Sequence, residues 1–539
     1  MERGKQGRRT GNSGRRLSYK WLVVIVAIFG TFMSSLDQTI VNIAIPQIQN
    51  AFGADIHSVQ WVATGYILTQ GVGTPATAFF ADTLGIKRFY IISIALFTIC
   101  SILCGLAWSL PVLIAFRLTQ GLSEAGLLPM STAMILSEFA PEERGLAYGF
   151  FGVPVLLAPT IAPTLGGFLI SAAGWRSIFF INVPIGIVGI LLTLFILHEQ
   201  RPETRPHFDL PGFAFVALGM AAVLYALSEA STYGWGSMRV LSFLSIGLLA
   251  LAIFAVIELN LACREKHPLL DLRIFANGPY TSATLASMLV FFVMLGGGFL
   301  TPIYLQNLRG LSAFQAGLLL LPPALVSMVM MAIGGRLVDR FGGKIVTIPG
   351  LLIVGLANWQ LSFLTLNSPC WWIVGVLMLR GVSLGLAVQP LGVVAVSEIR
   401  RERMPLASSL SVVTRSIASS LGIAIVSTLV QSRTSLHYGQ LAAQVRAGSQ
   451  FGQLLSRLQA LFAARGYSLQ AAHEAALRAI AGMMQRQAYM LALQDAFLFM
   501  TFFIGIAIIA TLLVRERRRP KRRAASASSQ EGDLSHMHV

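Results

Sequence analysis

The feature that most constrains this 539-residue chain is a series of apolar stretches, each about twenty residues long, that recur from end to end. Each stretch is long enough to cross the hydrocarbon core of a bilayer, and backbone groups without water partners must then pair within a helix. Only 12% of the residues are charged, about half the usual share of a soluble protein, and the mean hydropathy is +0.70. The sequence therefore predicts an all-α polytopic membrane protein with fourteen transmembrane helices. The predicted spans are 22–45, 59–79, 89–108, 111–136, 146–171, 178–197, 211–230, 240–261, 281–305, 313–333, 345–366, 371–397, 406–430 and 493–514.

The distribution of Lys and Arg predicts the orientation of these spans. Basic residues concentrate at both ends of the chain and in the short loops on the same side, which is typical of the cytoplasmic side. An even number of spans then places both termini in the cytoplasm, as expected for a multi-pass protein of the cell's inner (cytoplasmic) membrane. The net charge of +17 is thus explained by contacts with lipid headgroups of the bilayer, and nucleic acid is not an expected partner.

An internal repeat indicates two related halves. Residues 78–88 (Ala-Phe-Phe-Ala-Asp-Thr-Leu-Gly-Ile-Lys-Arg) and residues 335–344 (Gly-Arg-Leu-Val-Asp-Arg-Phe-Gly-Gly-Lys) occupy equivalent inner loops. A second repeated pair is Arg117 (in Arg-Leu-Thr-Gln-Gly) and Arg380 (in Arg-Gly), each early in a later span of its half. Parallel repeats of this kind predict two six-helix bundles that face each other across a central cavity.

Six and six spans leave two extra helices between the bundles. The predicted organisation is a basic cytoplasmic N-terminus, an N-terminal bundle, a linker with the extra helices, a C-terminal bundle, and a basic disordered cytoplasmic tail. These segments are residues 1–20, 21–198, 199–262, 263–514 and 515–539. The C-terminal bundle includes a polar outer loop, 431–490, for which helical spacing of apolar residues and a break at Arg465–Gly466 predict two amphipathic helices. A solvated loop is the alternative.

Several motifs resemble those of the major facilitator superfamily, and more narrowly its fourteen-span drug:proton antiporters of the EmrB/QacA type. The loop signature of the superfamily is complete around Asp339 but altered around Asp82, where Ala78 and Thr83 replace the usual glycine and arginine. Similar strings occur at 36–46, at 175–186 and at 414–422. The antiporter motif in span 5 is represented by Pro159, Pro163, Gly166 and Gly167.

The resemblance implies proton-coupled efflux of drugs or other toxic amphipathic compounds by alternating access. It implies no cofactor beyond the proton gradient, and a permease that works with a membrane-fusion adaptor and an outer-membrane channel. Export of one endogenous metabolite or siderophore is the alternative function. An enzyme is not expected, because the sequence contains no phosphate-binding loop, no paired metal-ligand spacing and no nucleophile–base pair.

Charged residues within predicted spans are costly and are therefore candidates for function. Five of them lie away from the span ends: Asp37, Arg117, Glu124, Arg380 and Arg415. Asp37, with Arg117 as its expected partner, is the first candidate for proton coupling, since burial and a neighbouring guanidinium have opposing effects on a carboxyl group. A purely structural pair is the alternative.

Glu124 lies seven residues after Arg117, on the same helical face and about 10 Å along the axis. The resemblance does not account for a carboxylate at this position. We expect it to face the cavity as a second site for a proton or a cationic compound. The alternative is a neutral or hydrogen-bonded side chain next to Ser123 or Ser131.

The repeated loops are expected to control gating. Their aspartates can accept hydrogen bonds from helix N-termini across the bundles, and such contacts would latch the outward-facing state. The residues assigned to these loops are Asp82, Gly85, Lys87, Gly335, Asp339, Arg340, Gly342 and Lys344. The prolines and glycines of span 5 are expected to shape a packed helix seam, and aromatic and methionine side chains such as Trp61, Phe150 and Phe291 to line an apolar pocket.

Overall fold

The structure is a computed structural model that describes residues 18–54, 56–140, 143–199, 208–263, 270–311, 313–396, 399, 403–443 and 450–513. Regular structure in these residues is helical, as the hydrocarbon environment requires. The helices of the first half are α1 (Tyr19–Phe52), α2 (Ile56–Gly73), α3 (Thr77–Leu84), α4 (Ile86–Gly105), α5 (Leu110–Glu124), α6 (Leu127–Glu138), α7 (Arg144–Ala173), α8 (Ser177–Phe180) and α9 (Asn182–Ile196).

The second half follows an intervening pair of long apolar helices, α10 (Leu210–Tyr233) and α11 (Met238–Cys263). These two pack tightly because Gly219 and Gly247 let the backbones approach. The remaining helices are α12 (Gly278–Ile303), α13 (Ala313–Phe341), α14 (Gly343–Leu361), α15 (Cys370–Val396), α16 (Met404–Ala443), α17 (Gln450–Ala464) and α18 (Leu469–Leu513).

Eleven helical segments of the described residues are long and apolar enough to cross a membrane. The other three predicted spans, 59–79, 111–136 and 146–171, coincide with α2–α3, α5–α6 and α7. Two of these passages are interrupted, at Thr74–Ala76 and after Glu124. The predicted all-α polytopic fold is therefore confirmed, whereas the count of fourteen spans stays a prediction.

The outer loop predicted at 431–490 is largely helical where it is described. Helix α16 runs on to Ala443 and α18 begins at Leu469, so both extend past the ends that hydropathy predicts at 430 and 493. The span bounds stay predictions, because a polar helix can continue beyond the hydrophobic window that hydropathy detects. Helix α17 packs against the extended part of α18.

A sharp turn separates α17 from α18. Gly466 has φ of +91°, a conformation that favours glycine, and the hydroxyl of Ser468 accepts a hydrogen bond from the Ala471 amide at 3.3 Å. The break predicted at Arg465–Gly466 is therefore present, and Ser468 caps the start of α18. The predicted terminal segments 1–20 and 515–539 lie outside the described residues, apart from 18–20.

The two bundles meet on one side of the molecule, which we call the inner side because it carries the Asp82 and Asp339 loops. A single core of buried apolar residues joins both halves there, including Phe139 and Tyr148 from one half and Met404 from the other. The core at the outer end of the N-terminal bundle, which includes Ile48 and Trp175, contains residues of that bundle alone, and the main core of the C-terminal bundle likewise contains only its own residues. The structure is thus closed between the bundles on the inner side.

Candidate functional site

The first polar centre lies inside the N-terminal bundle and is built around Asp37 on α1. Its Oδ2 accepts a hydrogen bond from Arg117 Nη1 on α5 at 2.5 Å, and its Oδ1 accepts one from Asn182 Nδ2 on α9 at 2.7 Å. All three side chains are at most 1% exposed. The expected pairing of Asp37 with Arg117 is therefore present, and its role in proton coupling stays a prediction.

Arg117 connects this centre to two further elements. Its Nε donates to the Val62 carbonyl of α2 at 3.0 Å, and its Nη1 also donates to Gln120 at 2.8 Å. The guanidinium lies 4.0 Å from the centre of the Tyr66 ring. A buried charge is tolerated when it is paired and hydrogen-bonded, and Arg117 satisfies both conditions.

Asn182 is a member of this centre that sequence reasoning missed. Its Nδ2 also contacts Ser101 Oγ at 3.0 Å, and Ser101 in turn donates to the Phe179 carbonyl at 2.9 Å. The signal for it in the sequence is an amide within the apolar string 175–186. Asn182 fixes the orientation of the carboxylate that Arg117 neutralises.

The second polar centre surrounds Glu124, the last residue of α5. Its Oε1 accepts hydrogen bonds from the hydroxyl of Ser34 on α1 and from Gln70 Nε2 on α2, the latter at 3.0 Å. Its Oε2 is buried and has no hydrogen-bond partner among the described residues. One oxygen of the carboxyl is therefore available to carry a proton.

A chain of amides leads from Glu124 toward a more accessible region. Gln70 accepts a hydrogen bond from Gln38 Nε2 at 2.9 Å, and both glutamines are partly exposed, whereas Glu124 is fully buried. The expectation that Glu124 faces the cavity directly was thus wrong. The alternative partners Ser123 and Ser131 were wrong too, since they bond to the Gln120 carbonyl and to Tyr90.

The third centre is the inner contact between the bundles. Asp339 at the end of α13 accepts hydrogen bonds from the Gly145 and Leu146 amides at 2.8 and 2.9 Å, which belong to the first turn of α7. The free amides and the dipole of a helix N-terminus favour a carboxylate there. A Cβ atom on Gly335 would lie 2.1 Å from the Gly145 carbonyl oxygen, so the two helices touch through their backbones.

The repeated loops share two further details. Gly85 and Gly342 have φ values of 86° and 91°, where a side chain would be strained. Lys87 donates to the Leu194 carbonyl at 2.9 Å, and Lys344 donates to the Leu512 carbonyl at 2.6 Å. Each lysine thus caps the final helix of its own bundle, as expected for cations near helix C-termini.

The loops differ in their aspartates. Asp82 is exposed and makes no hydrogen bond to the part of the chain that the structure describes, so it does not form the contact that Asp339 forms. The prediction of a latching contact was wrong for Asp82, whose loop lacks the usual glycine and arginine. Arg340 lies 5.2 Å from the centre of the Phe341 ring.

Other polar contacts also join elements on the inner side. Thr77 and Ser409, from opposite bundles, are hydrogen-bonded at 2.7 Å. Asp271, before α12, contacts Arg273 at 2.9 Å and Arg403 at 3.3 Å. Burial alone would raise the pKa of Asp271, but these two arginines lower it overall, so the carboxylate is charged at neutral pH.

The antiporter motif lies on the outer half of α7, which is helical through both Pro159 and Pro163. A Cβ atom on Gly166 would come within 2.8 Å of Ile40 on α1, so this glycine allows close packing of the two helices. Gly167 has open space around its Cα, and the side chain of Pro163 lies outside the described residues.

Two arginines of the C-terminal bundle approach the same turn of α12. Arg380 on α15 donates to the Met294 carbonyl at 3.0 Å and lies against Gly297. Arg415 on α16 lies 5.0 Å from the centre of the Phe291 ring and donates to the Tyr148 hydroxyl of the other bundle at 3.4 Å.

A family comparison decides the classification. The sequence model of the Major Facilitator Superfamily matches residues 27–423, which cover both bundles up to α16. The chain belongs to this superfamily. Its sequence is 30% identical over 431 residues to the multidrug export protein EmrB of Escherichia coli, covering 79% of this chain and 83% of EmrB. The expected membership in the EmrB type is thereby confirmed.

Another member of the superfamily, the tetracenomycin C resistance and export protein of Streptomyces glaucescens, is 32% identical over 418 residues, covering 77% of this chain and 76% of that protein. Among solved structures, a double tryptophan mutant of XylE has a TM-score of 0.59 and 14% identity, and the match covers 93% of this chain and 96% of that one. The latter similarity confirms the major facilitator fold.

The aromatic residues predicted to line a pocket occupy several different environments in this superfamily member. Tyr66 and Phe151 are buried in helix packing, and Trp61 stacks on Tyr225 of α10. Phe291 remains partly exposed. Hydropathy cannot separate these cases, because it does not specify which helix covers which face.

His437 links two helices of the outer region. Its Nε2 lies 3.0 Å from Asp495 Oδ2, which links the outer parts of α16 and α18. No group of three potential metal ligands occurs in the described residues.

Proposed function

We propose that this protein exports drugs and other amphipathic organic compounds from the cell in exchange for protons, by alternating access. The observation that carries the proposal is the arrangement of the two bundles, which share one core on the inner side, whereas the outer core of the N-terminal bundle contains residues of that bundle alone. This is the arrangement expected of an exporter that has released its cargo outward. The name of the relative EmrB as a multidrug export protein supports the substrate class.

Proton coupling rests on two buried carboxyl groups in the N-terminal bundle. Glu124 has one oxygen without a partner and is linked through Gln70 to partly exposed Gln38, a route by which a proton could enter. Asp37 is held by Arg117 and Asn182 on three neighbouring helices, so protonation there would weaken an ion pair that crosslinks the bundle. We assign Glu124 the entry of the proton and Asp37 the conformational response.

Gating is assigned to the inner contact at Asp339. Its carboxylate holds the first turn of α7 while the bundles are closed on that side. Opening of the inner side requires these two hydrogen bonds and the adjacent Gly145–Gly335 contact to separate. Release of a proton within the bundle would then allow α1 to move. Helix α7 would move with it, because Gly166 of α7 packs against Ile40 of α1.

The proposed location is the inner membrane, with both termini cytoplasmic and the outer extensions of α16 and α18 facing an adaptor protein. Apolar side chains are exposed on that outer region, including Leu461, Leu469, Leu477 and Met483. Exposed apolar groups outside a bilayer are typical of contact surfaces. Deletion of residues 444–468 should abolish export through a second membrane while leaving transport across the inner one intact. If the deletion variant keeps both activities, adaptor docking at this region is excluded.

A transport assay tests the main proposal. Purified protein is reconstituted into liposomes, a pH gradient is imposed, and accumulation of a fluorescent cationic dye such as ethidium is measured against the proton flow. We expect accumulation that a protonophore abolishes. Accumulation that is unaffected by the protonophore, or its absence across a panel of chemically different dyes and drugs, would refute proton-driven multidrug export.

Export of one endogenous compound is the second candidate. The relative from Streptomyces glaucescens is named for resistance to and export of a single compound, tetracenomycin C. The drug panel separates the two candidates, because a dedicated exporter would transport one member or none. Broad transport would favour the first proposal.

A further inference from the structure

Two arginines of the C-terminal bundle have no carboxylate partner among the described residues. The repeat counterpart of one of them, in the N-terminal bundle, has such a partner. Arg117 and Arg380 occupy matching places in the two halves, and Arg117 is neutralised by Asp37. The α12 residue that lies against the Arg380 guanidinium is Gly297, whose Cβ would come within 2.6 Å of Nη2. The C-terminal half thus has a glycine where the N-terminal half has a carboxylate.

Arg380 is 7% exposed, and its recorded hydrogen bonds go to the carbonyls of Val293 and Met294. Backbone carbonyls satisfy donors, but they carry no net charge. None of the ion pairs between described residues includes Arg380 or Arg415. Because an uncompensated cation within a membrane protein is costly, its presence favours a functional role.

Arg415 brings a second guanidinium to the same stretch of α12. Its ring partner Phe291 lies three residues from Met294, so both arginines contact one turn of α12. The Nη2 atom lies close to Gly392 on α15, the Tyr148 hydroxyl accepts from Nη1, and Nε is buried without a partner. Since Tyr148 belongs to the opposite bundle, Arg415 lies where the bundles meet.

Building on the proposed export function, we infer that Arg380 and Arg415 form a subsite for the anionic group of an amphipathic substrate. A carboxylate, phenolate or sulfonate would neutralise the positive charge of these arginines. A planar guanidinium can bind such a group through two parallel hydrogen bonds. The partly exposed faces of Phe291 and Met294 would contact the apolar part of the same molecule.

The subsite predicts which compounds this exporter prefers. Cationic compounds form no favourable contact with the two arginines. They can bind only through apolar contacts and through the buried carboxyl groups of the N-terminal bundle. Organic anions and zwitterions gain charge-assisted hydrogen bonds at α12. The two classes should therefore respond differently to removal of either arginine.

Two dyes with the same ring system but opposite charge provide the test: fluorescein, an anion, and tetramethylrhodamine methyl ester, a cation. Binding to the purified protein is measured by fluorescence anisotropy. We expect the Kd for fluorescein to rise about tenfold or more in Arg415→Gln and in Arg380→Gln, with the rhodamine Kd unchanged. Arg415→Lys should retain part of the affinity, because lysine keeps the positive charge but cannot form the two parallel hydrogen bonds of a guanidinium.

A matched variant supplies the missing carboxylate. Gly297→Asp places an internal anion beside Arg380, and the side chain that must move to admit it is the flexible arginine itself. This variant should weaken fluorescein binding as Arg380→Gln does, while rhodamine binding reports that the protein remains folded. An equal loss of both dyes in all four variants would overturn the inference, since it would mean a structural role for the arginines.

The outcomes also separate this inference from the proposed function. If the parent protein transports the rhodamine ester under a pH gradient but does not bind fluorescein, the subsite is refuted and the export function stands. If fluorescein binding depends on both arginines but neither dye is transported, the subsite stands and the proposed function is refuted.

Discussion

Replacement of Asp339 by asparagine should weaken the inner closure of this transporter. The carboxylate accepts one hydrogen bond from Gly145 and one from Leu146, with both oxygens in use. An asparagine can present its oxygen to one of these amides, and its NH2 group then opposes the other. The substitution therefore removes the negative charge and one hydrogen bond without changing the size of the side chain.

The magnitude follows from the type of bond that is lost. A hydrogen bond to a charged group contributes about 1.5–3 kcal/mol, and each 1.4 kcal/mol changes an equilibrium constant tenfold. The ratio of the inner-closed to the inner-open state should thus fall by roughly 10- to 150-fold in Asp339→Asn. Since Asp339 is partly exposed, the lower part of this range is expected.

Cysteine labelling measures this ratio. Thr77 is 1% exposed and bonds to Ser409 across the inner contact, so Thr77→Cys is protected while the bundles are closed. The exposed native residues Cys263 and Cys370 are first replaced by serine. In inside-out vesicles, a membrane-impermeant maleimide should label Thr77→Cys about tenfold faster when Asp339→Asn is present.

Asp82→Asn is the matched control, because Asp82 occupies the equivalent loop but is exposed and makes no hydrogen bond to the described residues. It should leave the labelling rate unchanged. A rate in Asp339→Asn equal to that of the parent, or an equal increase in both variants, would contradict the assignment of the latch to Asp339.

Two further substitutions test the packing and the Asp37 centre. Gly335→Ala should lower the thermal unfolding temperature and speed inner-side labelling, because its Cβ would clash with the Gly145 carbonyl; Gly167→Ala, in open space, should do neither. Asn182→Leu should destabilise the folded protein by about 1–3 kcal/mol in chemical denaturation, because one buried oxygen of Asp37 loses its donor. Unaltered stability in Asn182→Leu would mean that water replaces the amide.

The sequence predicted the fold well where a single local property determines it. Hydropathy located the helices, and the repeated loops located the two bundles, because membrane helices need about twenty apolar residues and repeats keep their turn chemistry. Gly85 and Gly342 illustrate this, since their positive φ values are a local requirement that only glycine meets easily. Hydropathy does not show where α16 and α18 end as helices, because their polar extensions lie outside the apolar stretches.

The candidate sites were only partly predictable. Asp37 and Arg117 were identified as candidates because charges within spans are rare, and the family resemblance, which places spans 1 and 4 at the cavity, paired them. The partners of Glu124 could not be predicted, because Ser34 and Gln70 come from two other helices whose rotation about their axes hydropathy does not determine. The same limit applies to Arg380, whose lack of a counterion became visible only once Gly297 was placed against it.

The central claim is that Glu124 and Asp37 exchange protons with the medium as substrate binds. The most direct test is proton release from the purified, unbuffered protein on addition of ethidium, followed with a pH-sensitive dye. We expect release by the parent protein, little or none in Glu124→Gln, and none in the double variant with Asp37→Asn. Undiminished release in both single variants and in the double variant would contradict it.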